Sequence, residues 1–76
     1  MNNKVFEELN TMINQALRKH GRNPDYVIVG RETLSDMQYH PEAFNYMSLG
    51  GNDFKVFGID ITKSEKEHEL EVAYKS

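Results

Sequence analysis

Residues 23–39 read NPDYVIVGRETLSDMQY. Pro24 fixes its own φ and drives Asn23 toward extended geometry, so Asn23-Pro24 opens the stretch as a turn. Tyr26-Val27-Ile28-Val29 is aromatic and β-branched throughout and too short for a helix, and it lacks polar alternation. It therefore predicts a strand buried on both faces. Gly30 ends the run, and a connector needing φ > 0 is its simplest explanation. From Arg31 onward Leu34 and Met37 recur at i, i+3, one face of a second helix. That helix must stop by His40, because Pro41 disfavours a helical predecessor.

The strand needs cover, and the N-terminal side supplies it. From Asn3 to His20 the apolar residues Val5, Phe6, Leu9, Met12, Ile13, Ala16 and Leu17 recur at 3 and 4, giving a helix with one broad apolar stripe. Asn2 or Asn3 is placed to cap it, and Glu7 and Glu8 suit its positive end. Arg18, Lys19 and His20 crowd the negative end, and Gly21 suits the left-handed position just past it.

On the C-terminal side, Pro41 can open a short helical turn bearing Phe44 and Met47. Leu49-Gly50-Gly51-Asn52-Asp53 reads as a mobile loop. Residues 54–61 read as one strand that changes phase: Phe54 and Val56 have one parity, Phe57, Ile59 and Ile61 the other. Gly58 between them marks a bulge or a close backbone approach. Lys63-Ser64-Glu65-Lys66-Glu67 reads as a hairpin connection. Leu70 and Val72 then alternate with Glu69 and Glu71 in a strand with one solvated face.

Seventy-six residues make one domain, residues 1–76. A chain of this size buries roughly 60 % of its unfolded surface, a thin margin. The sequence has no cysteine, which removes disulfides, thiol nucleophiles and the usual structural zinc sites. The net charge of −3 runs against a nucleic-acid partner. No apolar run is long enough for a membrane span, and the first ten residues carry no secretory pattern. These features imply a cytoplasmic protein.

The order helix, Asn23-Pro24-Asp25 turn, YVIV strand, helix, glycine-bearing loop and then FKVFGIDITKS resembles part of the tailed-bacteriophage major capsid protein fold. In that family a helix leads into a Pro-Asp turn and an apolar strand, and a later strand carries an aromatic-Gly-aliphatic step, here Phe57-Gly58-Ile59. The likeness runs from about Leu9 to Tyr74. The long spine helix, extended loop and N-terminal arm of that family have no counterpart. The resemblance implies a small phage-type module built on the capsid's axial-domain α/β unit, located in the host cytoplasm or in the virion.

Functional candidates are few. His20, His40 and His68 lie in different elements, and His68-Glu69-Leu70-Glu71 lacks the second histidine of a zincin helix. No metal or cofactor is therefore expected. Asp36 and His40, at i, i+4, suit a surface pair, and Ser35 would point away from them, so no catalytic residue is expected and the protein is not read as an enzyme. Gly30 with Arg31 and the first helical N–H groups could hold an anion, but one glycine is a weak phosphate signature. Arg18, Lys19, His20 and Arg22 form one basic cluster, better explained by the helix dipole than by nucleic acid.

Two surfaces remain. Tyr39, Phe44, Tyr46 and Met47, with Leu49 and Phe54, gather aromatic and thioether groups that suit either an ordinary core or an interface; a core this small cannot easily absorb all of them, and they are the expected protein-binding site, for a partner or a second copy. Glu65, Glu67, Glu69 and Glu71 form an acidic surface, either a solvated face or a mimic of nucleic acid that occupies a basic host site. The overall expectation is a single α+β domain of order α-β-α-β-β. Its sheet has about three strands, with the N-terminal helix packed on it. Its function is that of a non-enzymatic interaction or assembly module; the alternative is a small acidic inhibitor.

The apolar stripe carries a test. Leu9→Asp and Ile13→Asp should each cost more than about 4 kcal/mol, because each buries an unpaired carboxylate. Loss of the cooperative thermal transition in both variants is the expected result.

Overall fold

The computed structural model describes residues 4–50 and 53–75. Helix α1 spans Lys4–His20, and strand β1 spans Tyr26–Val29. Helix α2 follows at Arg31–Gln38, with the single-turn helix α3 at Ala43–Tyr46. Strands β2 (Met47–Gly50), β3 (Asp53–Val56), β4 (Ile59–Lys63) and β5 (Leu70–Ala73) complete the chain. They form one five-stranded mixed sheet in the order β2-β3-β4-β1-β5. The domain is α+β, as expected, but the sheet is larger than three strands. The expected capping role of Asn2 or Asn3 lies outside the described residues, as do residues 51 and 52 of the expected loop.

Two connections account for the difference in strand number. Leu49, Gly50 and Asp53 are not loop: Met47↔Val56 and Gly50↔Asp53 pair in an antiparallel ladder. The phase change in residues 54–61 is not a bulge but a reversal. Val56↔Ile59 and Lys55↔Asp60 pair antiparallel, leaving Phe57 and Gly58 as a two-residue turn. Both turn residues have positive φ, 53° and 78°, the requirement of a type I′ hairpin. Phe57 is a bulky residue in that region. Its N–H donates to the Tyr46 carbonyl at 2.7 Å, and its ring lies 5.4 Å from that of Tyr46. Packing holds the strained position.

The apolar strand β1 is interior to the sheet, between β4 and β5, but it is not buried on both faces as expected: it is covered on one face only. Val27 and Val29 are fully buried, whereas Tyr26 and Ile28 are half-exposed. Register carries the buried parity across the sheet, since Val27 faces both Ile61 and Val72. Those residues pack against a core built from Phe6, Leu9 and Ile13 of α1 and Leu34 and Met37 of α2. Both main helices therefore lie on one side of the sheet. On the other side Tyr26 and Ile28 sit among Lys55, Asp60, Thr62 and Glu71, with Lys55 and Asp60 paired at 2.9 Å. That salt bridge holds the Asp60 carboxyl below the usual carboxylate range. An uninterrupted apolar run four residues long does not distinguish one covered face from two.

Strands β4 and β5 do not form a hairpin. Strand β1 lies between them, parallel to β4 and antiparallel to β5. The connecting residues 64–69 must therefore cross over the C-terminal end of β1, where Gly30 stands. Ser64 N–H donates to the Val29 carbonyl at 2.9 Å, and Gly30 N–H donates to the Glu69 carbonyl at 2.8 Å. A Cβ on Gly30 would lie 2.6 Å from the Glu67 oxygen and the Glu69 nitrogen, both backbone atoms. Gly30 itself has φ −67°, so it needs no left-handed conformation. The expected roles of two glycines are thus exchanged: close approach belongs to Gly30, positive φ to Gly58. Gly21 behaves as expected, with φ 75° and its N–H donating to the Leu17 carbonyl at 2.8 Å.

These geometries predict different penalties. Gly30→Ala should cost at least about 2 kcal/mol, because backbone must move to admit a methyl group. Gly58→Ala meets open space and should lose only about 1 kcal/mol for left-handed strain, most of it restored in Gly58→Asn. Urea midpoints of the three variants, at unchanged slope, give the comparison.

Candidate functional site

The expected protein-binding residues separate into two groups. Helix α2 ends at Gln38, and the chain turns through Tyr39, His40 and Pro41 into α3. That turn throws Tyr39 and Phe44 outward: they are 83 % and 96 % exposed. Met47 goes the other way and is buried, and Tyr46 is half-buried against the core. The Tyr46 ring lies 4.9 Å from Phe6 and 5.4 Å from Phe57. Met47 therefore belongs to the core and reaches the surface only as the floor of a hollow, while Tyr46 packs against the core with part of its side chain still accessible. Phe54 is half-buried, and the Leu49 side chain lies outside the described residues.

His40 holds this turn together. It is buried, its Nδ1 accepts from the Glu42 N–H at 3.0 Å, and its ring stands edge-on to Phe6 at 5.2 Å. Accepting at Nδ1 leaves Nε2 to carry the proton of the neutral ring. Backbone bonds continue the turn, with His40 N–H to the Met37 carbonyl at 3.2 Å and Ala43 N–H to the His40 carbonyl at 3.0 Å. Asp36 instead lies on the open side of α2, lining a groove with Glu8 of α1. The expected surface pair of Asp36 and His40 gives way to a buried structural histidine. Beside Phe44, a hollow of about 210 Å³ is lined by Gln38, His40, Ala43 and Met47. A projecting ring and a recess thus share one patch.

The acidic residues do not share a face. Glu71 lies in β5 and is exposed, whereas Glu65 and Glu67 lie in the crossover from β4. The Glu69 side chain is only 15 % exposed and lies 3.9 Å from Lys66. It lines an open groove of about 440 Å³ between α1, α2 and the crossover, with Glu8, Thr33, Asp36 and His68. The same crossover occupies the N–H groups beside Gly30 that could have held an anion. Arg31 N–H donates to the Lys66 carbonyl at 3.0 Å, and Glu32 and Thr33 N–H groups to the Glu67 carbonyl at 2.9 and 3.4 Å. The free donors at the start of α2 are capped by the chain itself.

The basic cluster is also engaged at its end. Arg22 pairs with Asp25 at 3.0 Å and lies over the Tyr74 ring at 4.6 Å. Tyr74 Oη donates to the Arg22 carbonyl at 2.8 Å, and its ring lies 4.4 Å from that of His20. Asp25 also accepts from the Lys75 N–H at 2.7 Å. These contacts fasten the C-terminal residues to the turn after α1, a structural task.

One convergence of donor groups was invisible in the sequence. Glu32 of α2 meets Glu67 and His68 of the crossover, each offering one donor atom within 4.8 Å of the others, all three exposed. His68 Nε2 lies 3.1 Å from Glu32 Oε2. No local spacing announces this group, because the crossover brings it together. Comparison with protein-family models, curated proteins and solved structures finds no match to this chain.

The Asp25 contacts make a pH prediction. The Lys75 backbone N–H, and then the Arg22 guanidinium, hold the Asp25 carboxyl below its ordinary value of 3.8. A depressed carboxylate contributes stability that is complete above its unfolded-state value and is lost as pH falls through its folded-state value. Asp25→Asn should therefore melt below the wild type near about pH 6, and the gap should narrow below about pH 4. Melting temperatures of both proteins across that range check it.

Proposed function

We propose that this chain is a small non-enzymatic interaction or assembly module that engages another protein chain through Tyr39 and Phe44. The observation that carries this reading is the nearly complete exposure of Phe44 beside the buried His40, Ala43 and Met47. An aromatic ring left in water forgoes roughly 1.5–3 kcal/mol that burial would return. The turn that exposes it is tied down by His40 and by backbone hydrogen bonds, so the ring is presented from a well-anchored frame. The hollow beside it is of a size to receive an aromatic side chain, which favours a self-complementary contact between two copies. The sequence resemblance of the first helix, the Pro-Asp turn and the apolar strand to the axial unit of tailed-phage capsid subunits agrees with an assembly role, and with a phage-type protein working in the host cytoplasm or the virion, whereas the Phe57-Gly58-Ile59 step is a hairpin here and lends it no support.

The double variant Tyr39→Ser/Phe44→Ser tests the reading. Both side chains are exposed, so its stability should stay within about 0.5 kcal/mol of the wild type. Light scattering should give an assembly above 8.8 kDa for the wild type, persistent in high salt, and a monomer for the variant. Unchanged association in the variant would remove this site. A monomeric wild type whose capture of a basic partner fades with salt would favour the acidic-inhibitor alternative.

A further inference from the structure

We propose that Glu32, Glu67 and His68 form a divalent metal site of zinc type that staples the start of α2 to the crossover between β4 and β5. The site goes beyond the interaction surface at Tyr39 and Phe44 and stands independently of it. It also departs from the expectation of no metal, which rested on spacing within single elements.

The geometry is close to what coordination requires. Zinc bonds of about 2.0–2.2 Å to nitrogen and oxygen place tetrahedral donors roughly 3.3 Å apart. His68 Nε2 and Glu32 Oε2 already stand at 3.1 Å, and the whole set lies within 4.8 Å. Small rotations of exposed side chains close the difference. The backbones that carry these side chains are joined directly, since Glu32 N–H donates to the Glu67 carbonyl at 2.9 Å. Gly30 and Arg31 make two more bonds to the same crossover, at 2.8 and 3.0 Å. The ligand-bearing segments are thus held together before any ion arrives, which limits the ordering cost of binding.

The donor set selects the class of metal. Two carboxylates and an imidazole supply mixed oxygen and nitrogen ligation, which suits zinc and its first-row neighbours better than calcium or magnesium. Two carboxylates brought this close repel each other, and a divalent cation between them removes that repulsion. Three protein ligands leave the remaining coordination positions to water.

Zinc chloride alone, titrated into the full chain, tests the proposal by calorimetry and amide NMR. Binding at one ion per chain is expected, with shifts centred on residues 32, 67 and 68 and a rise in melting temperature with excess zinc. His68→Ala and Glu32→Gln should each weaken binding at least about tenfold. His20→Ala, an exposed histidine at the far end of α1, should bind as the wild type does. The proposal is overturned by the absence of heat and shifts, by equal binding in His68→Ala, or by shifts spread over other carboxylates such as Asp60 and Glu71. The wild-type shift map decides even where a variant proves unstable.

Discussion

At Gly30 two stretches of backbone touch with no side chain between them. The crossover from β4 to β5 must pass the end of β1, and it lies so close that a methyl group would meet the Glu67 oxygen at 2.6 Å. Much of the domain follows from that contact. It lets β5 reach the far side of β1 and pair with it, so the apolar strand becomes interior to the sheet. It places the carbonyls of Lys66 and Glu67 over the first N–H groups of α2, which would otherwise need a cap or an anion. It also sets Glu67 and His68 beside Glu32. One permissive residue thus orders a sheet, a helix terminus and a cluster of donor groups.

The second organising element is the aromatic row His40, Phe6, Tyr46 and Phe57, with neighbouring rings 4.9 to 5.4 Å apart. It runs from the α2–α3 turn, past the first turns of α1, to the β3–β4 hairpin. Packing along this row holds Phe57 in a backbone conformation that few side chains adopt. It also anchors the turn from which Tyr39 and Phe44 project.

Charged groups do mainly structural work elsewhere. Asp25, Arg22 and Tyr74 close the C-terminal residues over the turn after α1, which leaves the basic cluster partly spent. Lys55 and Asp60 bridge β3 and β4 on the open face of the sheet, beside the half-exposed Tyr26 and Ile28. Among the described residues no helix is long and apolar enough to cross a membrane.

Helix α1 and its apolar stripe, the left-handed Gly21, the stop of α2 before Pro41, and the alternation of Leu70, Glu71 and Val72 were legible in the residues alone. Each depends on spacing within one element or on the stereochemistry of one residue, and those are local quantities. The richness of the middle segment in aromatic and thioether groups was also legible. Which of them stay outside was settled by the turn at His40, which sends Phe44 out and Met47 in although they lie at one helical spacing. Strand order, the two-residue hairpin at Phe57-Gly58, the crossover at Gly30 and the meeting of Glu32 with His68 belong to tertiary structure. They depend on which strand lies beside β1, and the periodicity of each strand is the same whichever neighbour it has.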